Sequence, residues 1–225
     1  MNILKALSDN SQENSIANVY RKRRFSLFER LLSKVSRPIH IADIGGTESF
    51  WKNMGIIDEP GISVTILNLT PVETTLPNVC SHVFDATNLF PMPENHFDIA
   101  FSNSVIEHVG DFEAQEKMAK GIRHIAKKYF LQTPNYYFPI EPHFLFPGFQ
   151  FLPVESRVFL VKNFNLGWVK KEPNEERARN IVDEVKLLTR ADLEKLFPNS
   201  NIVSEKCFGL DKSFLVYGGW EEQKN

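Results

Sequence analysis

The chain has 225 residues, of which 42% are apolar and 24% are charged, a composition typical of a globular domain and not of a disordered chain. Lysine and arginine together number 26 against 28 acidic residues, so the net charge of -2 excludes a global basic field that would attract nucleic acid or an anionic membrane. The two cysteines, Cys80 and Cys207, are too far apart for a Cys-x-x-Cys metal or redox site.

No apolar stretch follows a basic start near the N-terminus, so a signal peptide is not expected. The longest uncharged run, residues 142–154, contains three prolines and is shorter than the ~20 residues of a membrane span. These features predict a cytoplasmic protein in a reducing compartment.

Short apolar runs that end in polar residues alternate with helical patterns along the chain. Such runs are typical of buried parallel strands whose carboxyl ends carry a site. The predicted strands are residues 40–44, 64–67, 83–84, 97–102 and 129–132.

Helical patterns precede the first strand and separate the fourth strand from the fifth, where Asp111 is the predicted helix cap. Residues 190–197 form a further predicted helix, and runs 202–208 and 213–217 fit a hairpin. We expect one doubly wound α/β domain over residues 1–225. Its expected parts are a helical N-terminal cap (1–37), a core (38–135), an insertion (136–185), and a C-terminal helix and hairpin (186–225).

The first predicted strand runs into a glycine turn, residues 43–48, with the sequence Asp-Ile-Gly-Gly-Thr-Glu. Glycines at such a turn let the backbone approach a nucleotide. A dinucleotide site needs a third glycine and a helix start that attracts pyrophosphate, whereas Glu48 would repel phosphate. The turn therefore favours an adenosine ligand without phosphates, and no phosphate loop of the ATPase type is present.

Four motifs stand in chain order at the predicted strand ends: IADIGG (41–46), the polar end of the second strand, FDAT (84–87) and FDIAFSNSVIEHV (97–109). They resemble the motifs of class I S-adenosylmethionine-dependent methyltransferases, and most closely those of the small-molecule branch that includes the ubiquinone-pathway methylases. The resemblance implies a Rossmann-like methyltransferase fold: an α/β, doubly wound, mostly parallel seven-stranded sheet with a helical N-terminal cap and an antiparallel C-terminal edge. It also implies S-adenosylmethionine as the cofactor and S-adenosylhomocysteine as the product.

By this resemblance, several residues would contact the methionine part of the cofactor. Asp43 would orient the amino group directly or through water, and Gly45 and Gly46 would let the backbone pass beneath the methionine and ribose. Asn103 would line the methionine end. Trp51 has two interpretations, either a contact with the sulfonium or, preferably, core packing.

The nucleoside would be held at the ends of the second and third strands. Asp85 would accept a hydrogen bond from the adenine amine, and the Ala86 N–H would serve a ring nitrogen. Asn68 stands where the family usually has an acid that grips both ribose hydroxyls. An amide retains one acceptor and one donor, but the bidentate anionic contact is lost.

His108 and His143 are the candidate catalytic residues, since an imidazole can remove a proton from an acceptor near neutral pH. Each also has a structural interpretation: His108 as a helix-start residue and His143 as an anchor of an aromatic loop. The other four histidines are interpreted as structural or surface residues. Because His/Glu or His/Cys metal spacing is missing, no metal is predicted.

The acceptor class is narrowed by what the fourth motif lacks. Its Ser-Asn-Ser-Val sequence is not the Asn/Asp-Pro-Pro-aromatic motif used on planar nitrogens, and a Pro-Cys nucleophile is also missing. The favoured acceptor is a hydroxyl oxygen of a small molecule, and the aromatic residues 136–138 and 144–151 would form either its lid or a core.

Three alternatives remain open. An RNA or protein methyltransferase would need a basic strip, and the run Arg21–Arg24 is predicted to be solvated surface, with a contact to the cofactor carboxylate as a lesser option. A non-catalytic methyltransferase-like binding or partner subunit would explain Asn68. An NAD-dependent dehydrogenase is disfavoured by the charge of the turn. The expected partner is a small-molecule acceptor, without membrane association, and no oligomeric state is predicted.

Overall fold

The computed structural model describes residues 16–220, with side chains described from residue 22 onward. Seven of its strands form one sheet, and two short strands form a separate hairpin. In chain order the strands are β1 (Ile39–Ile44), β2 (Ile62–Asn68), β3 (Val79–Val83), β4 (Phe97–Asn103), β5 (Ala126–Pro134), β6 (Ile140–Glu141), β7 (Phe146–Pro147), β8 (Asn201–Cys207) and β9 (Leu210–Gly218).

The main sheet has the order β3-β2-β1-β4-β5-β9-β8. Strands β1 to β5 are parallel, whereas β9 lies antiparallel between β5 and β8. A dinucleotide-binding sheet has the strand order 3-2-1-4-5-6, and its strands stay parallel beyond the fifth strand. The antiparallel pair after β5 therefore distinguishes this sheet from it and confirms the predicted mostly parallel sheet with an antiparallel C-terminal edge.

The helices cover both faces of the sheet, as a buried parallel sheet requires. One apolar cluster includes the helix between β4 and β5, and a second includes Phe25 and Phe28 of the N-terminal helix. The helices are α1 (Ile16–Leu32), α2 (Glu48–Met54), α3 (Phe112–Ile125), α4 (Val154–Asn163), α5 (Glu175–Asp183) and α6 (Arg190–Leu196).

Local capping explains where two of these helices begin. Asp111 accepts a hydrogen bond from the Ala114 N–H at 3.0 Å, as its position before α3 predicts. Thr189 and Asp192 form a reciprocal capping box at the start of α6. The predicted helices 111–126 and 190–197 and the C-terminal hairpin are thus present, with ends that differ by one to a few residues.

The third strand differs from its prediction. It spans Val79–Val83 and not residues 83–84, and of its five residues only Val79 is buried. Because β3 is the edge strand, its residues need not form an apolar run. The apolar pair Val83-Phe84 marks the end of this strand and the start of the following loop.

The predicted insertion has a small apolar cluster of its own. Helices α4 and α5 pack together with β6 and β7 nearby, and the rings of Phe144 and Phe149 stack with centroids 3.9 Å apart. The buried members are Phe144, Phe149, Val158, Val161, Leu166, Ala178 and Val182. Aromatic residues 144 and 149 therefore serve as core, whereas Tyr137 and Phe151 remain exposed.

The N-terminal helix confirms the helical pattern that precedes the first strand. Residues 1–15 of the predicted cap, and the side chains of Ile16, Val19 and Tyr20, lie outside the described residues. Within residues 16–220, no helix has both the length and the apolar character that a membrane crossing requires.

Candidate functional site

A cleft of about 400 Å³ lies at the carboxyl ends of β1, β2 and β4 and beside the loop after β3. This is the edge of an open α/β sheet where ligands bind. Of the predicted site residues, Gly45, Asn68, Asp85, Ala86 and His108 line it. The remaining lining residues are Leu67, Leu69, Phe84, Thr87, Ser104, Val105 and Val109.

The glycine turn is closely packed, and a side chain is excluded from its two glycine positions for different reasons. Gly45 has a φ of +74°, and a Cβ at this position would lie 2.5 Å from the Cγ2 atom of Val105. A Cβ on Gly46 would lie 1.6 Å from a carboxylate oxygen of Asp43. A side chain at either position would therefore displace the turn that forms one wall of the cleft.

Asp43 lies beneath this turn and does not line the cleft. It is 1% exposed, and its Oδ2 atom accepts a hydrogen bond of 2.6 Å from the indole N–H of Trp51. Burial raises the pKa of Asp43 to about 7 despite that hydrogen bond. Trp51 is itself fully buried among Phe25, Phe28 and Phe101, which supports its core interpretation. The predicted contact of Asp43 with the methionine stays a prediction.

Glu48, which the sequence places at the start of the helix after the turn, points toward the loop before β3. Its carboxylate accepts hydrogen bonds from the backbone N–H and hydroxyl of Thr75 and from the Leu76 N–H. The hydrogen bonds from Thr75 lower the pKa of Glu48, so it carries its charge near neutral pH. The Glu48 carboxylate, whose charge would repel a phosphate ligand, thus holds residues 75–76 in place.

Asn68 and Asp85 also line the cleft. The amide nitrogen of Asn68 donates to the carbonyl oxygen of Gly46 at 3.2 Å, which ties the end of β2 to the glycine turn. Asp85 accepts from both the N–H and the hydroxyl of Thr87 at 2.8 Å, which is a local turn hydrogen-bond pattern. Both side chains are therefore oriented by short-range contacts.

Asn103 is engaged elsewhere and is not among the cleft-lining residues. Its Oδ1 atom accepts from an Arg24 guanidinium nitrogen at 2.5 Å, and the same nitrogen donates to Gln132 at 2.9 Å. The guanidinium also donates to both carboxylate oxygens of Glu205, at 3.2 and 3.0 Å. The expectation that the run Arg21–Arg24 is solvated surface is therefore wrong for Arg24, because helix α1 turns it against the sheet.

His108 and His143, which are far apart in sequence, meet at the edge of the cleft. Their Nε2 atoms are 3.1 Å apart, and the two rings are nearly perpendicular, at 89°. The Nδ1 atom of His143 lies 2.6 Å from Oε1 of Glu141, whose second oxygen accepts the N–H groups of His143 and Phe144 at 2.7 Å. Glu141 thereby fixes the ring of His143 and, in the neutral form, its proton on Nδ1.

The two histidines have opposite electrostatic environments. Burial lowers the pKa of His143, but the hydrogen bond and negative charge of Glu141 outweigh this effect, so the net shift is upward. Burial and the neighbouring His143 lower the pKa of His108, so it is neutral at pH 7. The pair thus places a neutral imidazole at the cleft and a more basic one behind it.

Glu107 is completely buried beside this pair and was not identified from the sequence. Its Oε2 atom accepts from the Thr133 hydroxyl at 3.0 Å, whereas its buried Oε1 atom has no hydrogen-bond partner. Burial raises the pKa of Glu107 to about 7. One ligand atom each from Glu107, His108 and His143 lies within 4.8 Å of the others, which is a spacing that could hold a metal ion. The sequence-based expectation of no metal considered only local spacing.

A second, more open hollow of about 560 Å³ lies between the end of β5, helix α6 and strand β9. None of the predicted site residues lines it. Of these two hollows, only the cleft at the strand ends is lined by predicted site residues.

Residues 60–128 match a protein family described as a methyltransferase domain. Over 57 residues the chain is 44% identical to an uncharacterized protein of Mycobacterium tuberculosis, found in two strains of that organism. The matched segment covers 25% of this chain and only 19% of that relative.

Similar solved structures share the fold at low sequence identity. A chain of the complex between the Haloferax volcanii Trm112 methyltransferase activator and a methyltransferase has a TM-score of 0.51 at 13% identity, with 96% of both chains covered. The PH0226 protein of Pyrococcus horikoshii has a TM-score of 0.50 at 16% identity, with 88% of this chain and 90% of that chain covered. A chain named as a Zn-dependent alcohol dehydrogenase of Rhodobacter sphaeroides has a TM-score of 0.53 at 13% identity, with 84% and 87% covered.

These structural similarities concern the fold alone. The sheet order and the antiparallel strand β9 give the chain the Rossmann-like fold of class I S-adenosylmethionine-dependent methyltransferases, and residues 60–128 match a methyltransferase domain. The cofactor of that class is S-adenosylmethionine.

Proposed function

We propose that this protein transfers a methyl group from S-adenosylmethionine to a hydroxyl oxygen of a small molecule. The observation that carries the proposal is the cleft itself, which is lined by Gly45, Asn68 and Asp85 together with His108. We call the group Gly45, Asn68, Asp85 and Ala86 the nucleoside end. The group Glu107, His108, Glu141 and His143 is the acceptor end.

The nucleoside end fits the cofactor in size and chemistry. The absence of a side chain at Gly45 lets the glycine turn pack closely against Val105, and the cleft of about 400 Å³ falls in the range of small-ligand sites. Asn68 would bind the ribose and Asp85 the adenine amine, with the Ala86 N–H at a ring nitrogen. Gly46, Asp43 and Asn103 would support the methionine side from below and behind.

When bound, S-adenosylmethionine supplies a methyl group on a positively charged sulfur, which needs an aligned nucleophile and little else. The protein must therefore hold the acceptor and remove its proton. His108, neutral and facing the cleft, would accept the hydroxyl proton. His143, oriented by Glu141, would stabilise the protonated pair through the contact between the two Nε2 atoms.

The lining of the cleft favours a small, largely uncharged acceptor. Leu67, Leu69, Phe84, Val105 and Val109 provide apolar walls, which is typical of small-molecule sites. Among the described residues that line the cleft there is no lysine or arginine, whereas an RNA substrate would require a basic rim.

The test is a transfer assay with methyl-labelled S-adenosylmethionine and a panel of phenols, catechols and sugars, each matched with its amine or thiol analogue. We expect label in the hydroxylated acceptors and loss of that transfer in a folded His108→Ala variant. Transfer to the amine or thiol analogues alone would overturn the proposed acceptor.

The alternative of a non-catalytic partner subunit is favoured by one observation, since the amide of Asn68 replaces the usual acid and is already bonded to Gly46. In that case the chain would bind S-adenosylmethionine weakly or not at all and would show no transfer to any acceptor in the panel.

A further inference from the structure

We propose that Glu107, His108 and His143 bind one divalent transition-metal ion at the acceptor end of the cleft. The sequence gives no metal-binding motif, because these residues come from the segment after β4 and from the insertion. The fold brings a carboxylate oxygen and two imidazole nitrogens within 4.8 Å of one another.

The separation of the two imidazole nitrogens fits a shared ion. The Nε2 atoms of His108 and His143 are 3.1 Å apart. Zinc binds histidine nitrogen at about 2.0–2.1 Å, so two nitrogens at that separation would subtend an angle of about 100° at the metal. That angle lies between octahedral and tetrahedral geometry, so the pair requires little movement to bind an ion.

The second observation is the unpartnered oxygen of Glu107. This side chain is fully buried, its Oε2 atom is bonded to Thr133, and its Oε1 atom has no partner within the described structure. A buried polar atom without a partner needs an explanation, and a bound ion is one such explanation. A carboxylate is also the group that would neutralise the charge of a cation at this place.

The third observation is the contact of Glu141 with His143. Metal-binding histidines commonly donate their second ring N–H to a carboxylate, which fixes the tautomer and directs the other nitrogen at the metal. The 2.6 Å contact between Nδ1 of His143 and Oε1 of Glu141 is this arrangement. Glu141 is 2% exposed and is held by the backbone N–H groups of residues 143 and 144.

The donor set indicates the kind of ion. Two imidazoles and one carboxylate suit zinc, cobalt, manganese or iron(II), whereas magnesium and calcium prefer oxygen donors alone. With three protein ligands, at least one coordination position stays open, as at catalytic sites. His108 lines the cleft, so an ion held by these residues would lie at the edge of the cleft.

The consequence for the reaction rests on the proposed function. A hydroxyl bound to the ion would lose its proton to water more readily, so the metal would take over the activation that the histidine pair performs without it. The metal site itself does not depend on this role, and its test does not use methyl transfer.

The experiment is a titration of the full chain, without a polyhistidine tag and after treatment with a chelator. Zn²⁺ binding is measured by calorimetry, and Co²⁺ binding by the visible absorption of the bound ion. We expect one ion per chain. Binding should be lost in His108→Ala and Glu107→Gln, and should weaken about 10- to 100-fold in Glu141→Gln, which removes only the contact that orients His143.

His82→Ala is the matched control, because His82 is exposed on the edge strand β3, does not line the cleft and is not one of the three proposed ligands, so its loss should leave binding unchanged. Circular dichroism of each variant verifies folding, and Glu107→Gln retains an acceptor for the Thr133 hydroxyl. Absence of Zn²⁺ and Co²⁺ binding to the folded wild-type chain, or binding that is equal in all the variants, would overturn the site.

Parallel titration with S-adenosylmethionine separates this inference from the proposed function. Metal binding without cofactor binding would leave the metal site standing and overturn the methyltransferase proposal. Cofactor binding without metal binding would overturn the metal site and leave the methyltransferase proposal standing.

Discussion

The two ends of the cleft are built in different ways. At the nucleoside end, Asp85 bonds to Thr87 two residues away and Asn68 bonds to its neighbour Leu69 and to the glycine turn. At the acceptor end, His108 meets His143 across 35 residues of sequence. The nucleoside end is thus formed by strand ends and local turns, whereas the acceptor end exists only once the insertion has packed against the sheet.

The two ends also differ in their buried ionisable side chains. The acceptor end contains two fully buried carboxylates, Glu107 and Glu141, beside two imidazoles. The nucleoside end relies on an amide, an exposed aspartate and backbone groups. We therefore expect substitutions at the acceptor end to change turnover, and substitutions at the nucleoside end to change cofactor affinity.

After the loss of transfer expected in His108→Ala, the largest expected effect is on turnover in His143→Ala, which removes the residue that stabilises the protonated pair. Loss of a positioned acid or base typically lowers a rate by about 10²- to 10⁴-fold, and the affinity for S-adenosylmethionine should stay unchanged because His143 lies outside the nucleoside end. Steady-state kinetics on an accepted substrate, together with calorimetry, measure both quantities. His82→Ala serves as the surface control, and a parallel loss of cofactor affinity in His143→Ala would contradict the division of roles.

The next effect is on cofactor affinity in Gly45→Ala. The added Cβ would lie 2.5 Å from Val105, so the turn or Val105 must move, and we expect affinity to fall about 100-fold, as misplacements of about 1 Å can cause. Calorimetry measures the loss.

Gly55→Ala is the matched control for this prediction. Gly55 has a similar φ of +77°, but a Cβ there meets no atom within 4 Å. Both variants carry a backbone strain of about 1–2 kcal/mol, so equal cofactor affinities would show that Gly45 has no special place in the site.

A smaller effect is expected on the pH dependence of the free energy of unfolding. It comes from Asp43, which lies beneath the nucleoside end. Its folded pKa of about 7 is above the usual 3.8, so the folded chain keeps a proton that the unfolded chain has lost. The stability from this group is greatest below the unfolded pKa and is lost as the pH rises through about 7.

Between about pH 5 and about pH 7.5, the wild-type chain should therefore lose about 2 kcal/mol of unfolding free energy relative to Asp43→Asn. Asparagine preserves the acceptor for the Trp51 N–H and does not titrate. Urea unfolding at the two pH values measures the difference. An identical pH dependence of both chains would show that Asp43 is ionised in the folded state.

The sequence predicted most of the fold because the central strands are continuous apolar runs. It placed β3 too far toward the C-terminus, since an edge strand with one buried residue has no such run. It also placed Gly45, Asn68, Asp85 and Ala86 at strand ends, and the topology brings these residues to one cleft. That they bind a nucleoside stays a prediction.

The sequence did not predict the carboxylates of the acceptor end. Glu107 precedes His108 in the motif at residues 97–109, but only the folded chain shows that it is buried and bonded to Thr133 of β5. Glu141 lies two residues before His143, and this short spacing was the available signal. Arg24 belongs to a basic run, and only the packing of α1 reveals its pairing with Glu205.

The most direct test is calorimetric titration of the folded chain with S-adenosylmethionine and S-adenosylhomocysteine, with NAD as the control. The cleft and the fold predict saturable binding of the two sulfur nucleosides and none of NAD. Binding of NAD alone, or of no nucleoside by a sample shown to be folded, would contradict the assignment of the cleft as a methyl-donor site.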